Sequence, residues 1–174
     1  MEDIIIRKAE VKDIKNILEL FNFEEDIDEV TDKSYVENSI KQNQSGSVSL
    51  IVAETDGQIA GAIKLKRKRS HIGNIGKVAV SKEFRGKGIA TILYKVAIII
   101  FSKENRTKIS DQMTEPNEPM VHLFNKLGFV KEGTLRMHTH DKKDVSQYAY
   151  FTDEMGIPEI PDNIKVTIEA WKNE

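Results

Sequence analysis

The stretch VAVSKEFRGKGIATILYK, Val78 to Lys95, decides how this chain is read. Val78, Ala79 and Val80 are small and apolar, as in a buried strand. Arg85-Gly86-Lys87-Gly88 then turns the chain, and the apolar run from Ile89 reads as a helix to about Lys103. One glycine suffices to turn a chain, so two at a strand–helix junction call for a further reason. The first N–H groups of a helix lack partners, and the helix dipole places partial positive charge there. Such an end attracts anions, phosphates above all. Glycines let the backbone approach a pyrophosphate because no Cβ intervenes, and Arg85 and Lys87 add positive charge. The stretch is therefore either a pyrophosphate cradle or a tight strand–helix turn whose glycines serve packing only.

Two nucleotide motifs are excluded. No Gly-Lys-Ser/Thr follows a first glycine at P-loop spacing, and Ala90 and Thr91 stand where a dinucleotide fingerprint would place its third glycine. The chain has 174 residues, 39% hydrophobic and 31% charged, which suits one globular domain with a sizeable core. A net charge of −2 argues against a strong pull towards nucleic acid. With no cysteine there is no disulfide, no thiolate nucleophile and no Cys metal site, in keeping with a reducing cytoplasm. MEDIIIRKAE does not read as a signal peptide, and the apolar run VAIIIF is far too short to span a bilayer.

Outward from the central stretch, periodicity predicts the remaining elements. DIIIRKA is a first strand, and AEVKDIKNILELFN carries apolar residues at helical spacing. FEEDIDEVTDKSYVENSIKQ is an acidic loop followed by a second helix. SLIVAET and QIAGAIKLKRK are strands joined at Asp56-Gly57, a strong hairpin signal, and IGKVAV is a fourth strand. TKISDQM is a short fifth strand, and NEPMVHLFNKLGF a helix stopped by Gly128. FVKEGTLRMHTH and VSQYAYFT are two more strands, with DKKD as the turn between them. The expected fold is α/β: a central mixed, mostly antiparallel sheet of about seven strands flanked by helices. Residues 1–152 form the domain, and 153–174 a C-terminal extension packed on or near it.

Arg85-Gly86-Lys87-Gly88-Ile89-Ala90 resembles the acyl-CoA signature of the GCN5-related N-acetyltransferase (GNAT) family, and NEPMVHLFNKLGF is similar to that family's Asn-initiated helix ending in Leu-Gly-Phe. The element order agrees, and the resemblance runs from about Ile4 to Phe151. It implies an acetyl-CoA-dependent N-acetyltransferase in which the fourth and fifth strands splay apart to admit the pantetheine arm. Backbone groups of Val78 and Val80, with Ala79 between them, would pair with that arm. The N–H groups from Gly86 through Lys87, Gly88, Ile89 and Ala90 to Thr91 would hold the pyrophosphate beside Arg85, and Asn117 would bond the pantetheine, cap its helix, or both. The resemblance further implies direct attack of an amine in a ternary complex, with the Val78 N–H meeting the oxyanion.

The resemblance breaks at the positions for proton transfer. Where many relatives carry a tyrosine near the thiol this chain has Phe124, and the two positions used for a glutamate base hold Gln112 and Asn74. Either catalysis rests on positioning, or the ionisable groups come from elsewhere, or the chain is a non-catalytic acyl-CoA-binding or sensor module. His122 is expected to point away from Phe124. His138, His140, Asp141 and Asp144 read as a solvated hairpin rather than a metal site, and no metal is expected. Tyr148 and Tyr150 share one face of the last strand, a core face or the wall of an acceptor site.

Two charge runs remain. Glu24 to Glu29 is either a solvated loop or an acidic rim that steers a cationic amine. Lys64 to Arg69 reads as a half-exposed strand; binding of RNA or of an acidic partner is the weaker reading. A homodimer paired through the last hairpin is a further expectation from the resemblance.

Overall fold

A computed structural model describes residues 3–22 and 31–168. Strands β1 (Ile4–Lys8), β2 (Val48–Thr55), β3 (Gln58–Arg69), β4 (Ile72–Val80), β5 (Lys108–Thr114), β6 (Val130–Leu135), β7 (Val145–Phe151) and β8 (Ile164–Val166) form one sheet. Their order is β6-β7-β5-β4-β3-β2-β1-β8. Only β4–β5 and β1–β8 run parallel; every other pair is antiparallel. The expected mixed sheet is present, with one strand more than anticipated. The extra strand, β8, comes from the extension after residue 152 and lies against β1.

Helices cover both faces. α1 (Ile14–Asn22) and α2 (Lys33–Ser45) pack through Ile17, Phe21 and Val36 onto Leu50, Val52 and Ala62. α3 (Ile89–Lys103) and α4 (Glu118–Leu127) cover the other face, where Ile6, Ile51, Ile63, Leu65, Ile109 and Met113 join the larger core. α3 is apolar almost all round because it lies between the sheet and other elements. α5 (Thr152–Met155) is a single turn after β7. The β2–β3 hairpin turns at Asp56 (φ 53°) and Gly57 (φ 70°), the pair of left-handed residues a tight hairpin demands.

Two local expectations are corrected. The loop between β6 and β7 is not DKKD alone, because β6 ends at Leu135 and β7 begins at Val145. The Asp144 carboxylate accepts from the Met137 N–H at 2.7 Å and closes this wider loop. In the Lys64–Arg69 run, Lys66 and Arg67 are half-buried and Arg69 is exposed, but Lys64 does not lie at the surface. Lys64 is 6% exposed with its ammonium 3.6 Å from the centre of the Tyr35 ring, and Arg67 is bound by Glu104 at 2.6–2.9 Å. Burial, then the charges of Lys66 and Lys77, bring the Lys64 pKa down to about 8.

Candidate functional site

β4 and β5 are paired only at Ile72↔Lys108, Gly73↔Ile109 and Asn74↔Ser110. Beyond that rung β4 bonds only to β3, and β5 only to β7. The register of β3 on β4 slips between Lys64↔Lys77 and Leu65↔Ile75, which leaves Gly76 as a bulge just past the rung. Asn74 fastens the apex: its amide nitrogen donates to the Ser110 hydroxyl at 3.1 Å, and that hydroxyl donates to the Gly73 carbonyl at 3.3 Å.

The ladder fixes which groups face the gap. The Ser81 N–H donates to the Ala60 carbonyl at 2.9 Å. Antiparallel bonding alternates, so Ala79 and Lys77 bond to β3, and the backbone groups of Val78 and Val80 point to the β5 side. The Val80 carbonyl is held by the Arg85 guanidinium at 3.1 Å, which ties the end of the strand to the following turn.

That turn carries Gly86 at φ 74° and Gly88 at φ 84°, and Gly88 is the N-cap of α3 with no side-chain cap. A Cβ built on either glycine meets nothing within 4 Å. Close packing does not explain these glycines; the left-handed backbone does, and it leaves open space above the N–H groups of Ile89, Ala90 and Thr91. Arg85, Lys87, Gly86 and Gly88 are all exposed. The donor set fits a pyrophosphate: unpaired helix N–H groups, no Cβ in the way, and two cations alongside.

Asn117 caps α4, its side-chain oxygen accepting from the Met120 N–H at 3.2 Å. The cap engages only the oxygen, so the amide donors remain for another partner. Phe124 is fully buried and packs against Tyr94, Phe129 and Tyr148 with ring centroids 5.7, 5.0 and 4.7 Å away. Tyr148 and Tyr150 are buried on the core face. His122, His138, His140 and Asp141 are exposed, and among the described residues no group of His, Asp or Glu is placed to hold a metal. The acidic run from Glu24 to Glu29 lies outside the described residues.

Over the β4–β5 rungs a cavity of about 320 Å³ is lined by Arg69, Ile72, Asn74, Lys108, Ser110, Asp111, Gln112, Glu132, Gln147 and Tyr148. It unites Asn74 and Gln112, two of the three positions where the sequence lacks an acid or base; the third, Phe124, stays in the core. On the opposite face of β5, beside Ile109 and Met113, stands a carboxyl group that sequence reading passed over. Asp111 is 6% exposed and accepts from the Tyr94 hydroxyl at 2.5 Å and the Gln112 N–H at 2.7 Å. Burial pushes its pKa up to about 7, against the opposing pull of those two bonds and the Lys66 charge. The signal was present: in KISDQMT, Asp111 shares the strand face of Ile109 and Met113.

The model of the acetyltransferase (GNAT) family matches residues 11–129. The spermidine N(1)-acetyltransferase of Escherichia coli K12 is 36% identical over 89 residues, 50% of this chain and 47% of that protein; the match thus spans about half the length of this curated relative. A solved N-acetyltransferase from Staphylococcus aureus Mu50 superposes with a TM-score of 0.78 at 20% identity, over 86% of this chain and 99% of that one. A spermidine N-acetyltransferase from Vibrio cholerae, solved with CoA and spermine, gives 0.74 at 22% identity, over 88% and 98%. At these identities the solved structures speak to the fold.

Proposed function

This chain belongs to the acetyltransferase (GNAT) family, and from that premise we propose an acetyl-CoA-dependent N-acetyltransferase that acts on a primary amine by direct attack within a ternary complex. The observation that carries the reading is the gap between β4 and β5, which opens past Asn74↔Ser110 towards the uncapped, glycine-lined start of α3. Acetyl-CoA is the co-substrate that supplies the activated acetyl group. The Val78 and Val80 backbone would hold its pantetheine arm, the N–H groups from Gly86 to Thr91 its pyrophosphate, and the Asn117 amide the arm's far side. The Val78 N–H is aimed into the gap and is the donor for charge developing on the carbonyl oxygen.

The acceptor would enter from the cavity of Asn74, Ser110 and Gln112. Relatives named for spermidine support an amine acceptor, and the acidic run at Glu24 to Glu29 supports a cationic one. The acetyltransferase domain spans 1–152, with 153–174 as an extension that adds β8. Among the described residues no helix is long and apolar enough to cross a membrane, which fits a cytoplasmic site of action, and the β6–β7 hairpin is the surface through which a homodimer would pair.

The test is release of CoA thiol from acetyl-CoA with spermidine, lysine and a peptide bearing a free N-terminus, with the acetylated product identified by mass. At least one amine should give stoichiometric thiol and acetyl-amine. The second reading, an acyl-CoA-binding module, is favoured by Phe124, Gln112 and Asn74 standing where acids and bases are expected. Binding of acetyl-CoA without thiol release from any amine would establish it instead.

A further inference from the structure

We infer that the acceptor carries a carboxylate at the end remote from its reacting amine, and that Arg69, at the paired end of β4 and β5, receives it. The inference rests on the acetyltransferase reading above and narrows its acceptor from a primary amine to an elongated amino acid.

Strand parity places the residues. A Cβ on Gly73 would lie 2.5 Å from the Phe101 ring of α3, so Ile72 and Asn74 face away from α3. Arg69 is paired with Ile72 in the β3–β4 register and shares that face. On β5, Ile109 and Met113 belong to the core that includes α3, so Lys108, Ser110 and Gln112 face the other way. Gln147 stands opposite Gln112 on β7. These side chains form one floor, and among the described residues none from α1 or α2 lines the cavity over it.

The charges of this floor leave one group to bind with. Lys108 and Glu132 neutralise each other at 2.6 Å. Asp111 lies on the opposite face, where the Tyr94 hydroxyl and the Gln112 N–H hold it. Asn74, Ser110, Gln112 and Gln147 are uncharged. Arg69 is exposed and lines the cavity, and among the described residues no group bonds its guanidinium. The nearby arginines differ: Arg67 and Arg106 are half-buried and bound by Glu104. Arg106 also donates to the carbonyls of Arg69, Ser70 and Ile72, the last at 3.1 Å. The hairpin that presents Arg69 is thus fastened through its backbone while the guanidinium keeps its fork of donors, which suits bidentate capture of a carboxylate.

A second ammonium, as on a polyamine, would meet like charge at Arg69 and find both carboxyl groups of the cavity engaged. The acceptor stays cationic only at its reacting end. A strand rises about 3.3 Å per residue, so about 13 Å of β4 separates the Ile72 rung from Gly76, where the gap opens. An acceptor that reaches from the gap to Arg69 therefore has several carbons between its amine and its carboxylate.

The experiment compares amines that differ only in the carboxylate: lysine with cadaverine, and ε-aminocaproate with pentylamine. Spermidine and an amidated peptide with a free N-terminus complete the panel. CoA thiol release gives kcat/KM for wild type, Arg69→Gln and Arg69→Lys, with Tm and acetyl-CoA affinity measured alongside. Wild type should prefer the carboxylate-bearing member of each pair by about 10–100-fold. Arg69→Gln should erase that preference, chiefly through KM, at unchanged Tm and acetyl-CoA affinity, and Arg69→Lys should keep part of it. A merely structural arginine would lower Tm and leave the preference in place. Turnover of cadaverine, pentylamine, spermidine or the amidated peptide at least as fast as that of the carboxylate-bearing amines overturns this inference alone, and so does a preference that survives in Arg69→Gln. Wild type that releases no CoA with any amine overturns the acetyltransferase reading itself.

Discussion

Replacing Asp111 by Asn should change how stability depends on pH, whether or not an acceptor is known. The carboxyl group goes from an ordinary 3.8 to about 7 on folding, chiefly by burial. A folded-state pKa above the unfolded one contributes stability that is fully present below about pH 4 and is lost as pH rises to about 7. At about 1.4 kcal/mol for each tenfold change in proton affinity, the effect is on the order of 4 kcal/mol at most. The amide introduced by Asp111→Asn cannot titrate and keeps an oxygen for the Tyr94 hydroxyl. The stability of the variant minus that of wild type should therefore rise by several kcal/mol between pH 4 and 7 and stay level above. Urea denaturation of both proteins across that range measures the difference, with titrations common to both cancelling. A difference that is flat in pH would mean that Asp111 ionises normally in the fold, and would refute the reasoning from burial.

Asn117→Asp keeps the oxygen that accepts from the Met120 N–H and removes only the amide donors; acetyl-CoA affinity should fall at unchanged Tm, whereas Asn117→Ala should lose affinity and about 1 kcal/mol of stability as well. Both variants binding like wild type would leave Asn117 as a cap alone. Phe124→Ala should cost roughly 3–5 kcal/mol in denaturant unfolding, because the ring is fully buried, with turnover per folded molecule largely retained; a large loss of turnover at unchanged acetyl-CoA affinity would give the ring a catalytic part. Neutralising Glu24, Glu25 and Asp26 together should raise KM for a polyamine more than for a monoamine. The effect should fade as salt shortens the screening length below about 8 Å, and kinetics equal to wild type at low ionic strength would reduce the run to a solvated loop.

The sequence was most legible where local chemistry dictates local shape. Asp56-Gly57 announces its hairpin and Gly128 its helix stop, and Gly86 and Gly88 set the start of α3, because each needs a left-handed backbone that few residues adopt. The splay follows from the family resemblance, and the β4–β5 register shows where it opens. Other features depend on tertiary partners. β8 has three residues, too few for a period, and exists because β1 offers it an edge. Lys64 alternates with apolar neighbours as an exposed residue would, yet α2 brings the Tyr35 ring over it. Asp111 sits on the apolar face of its strand in plain view, but the Tyr94 hydroxyl that makes the placement tolerable lies 17 residues earlier on an otherwise apolar helix. The aromatic box that keeps Phe124 out of the cavity draws on α3, α4 and β7, and no single segment announces it.

We propose that acetyl-CoA binds across the β4–β5 gap with its pyrophosphate on the glycine-lined start of α3. Calorimetric titration of acetyl-CoA into wild type and Gly88→Val, side by side, tests it most directly. Gly88 sits at φ 84°, and a Cβ added there would have no neighbour within 4 Å. Valine therefore strains the backbone by about 1–3 kcal/mol with open space at its Cβ, and circular dichroism should report a folded protein. Wild type should bind one acetyl-CoA per chain, and the folded variant should bind at least about 100-fold more weakly, a loss of about 2.7 kcal/mol. A folded Gly88→Val protein that binds acetyl-CoA as tightly as wild type would contradict the claim.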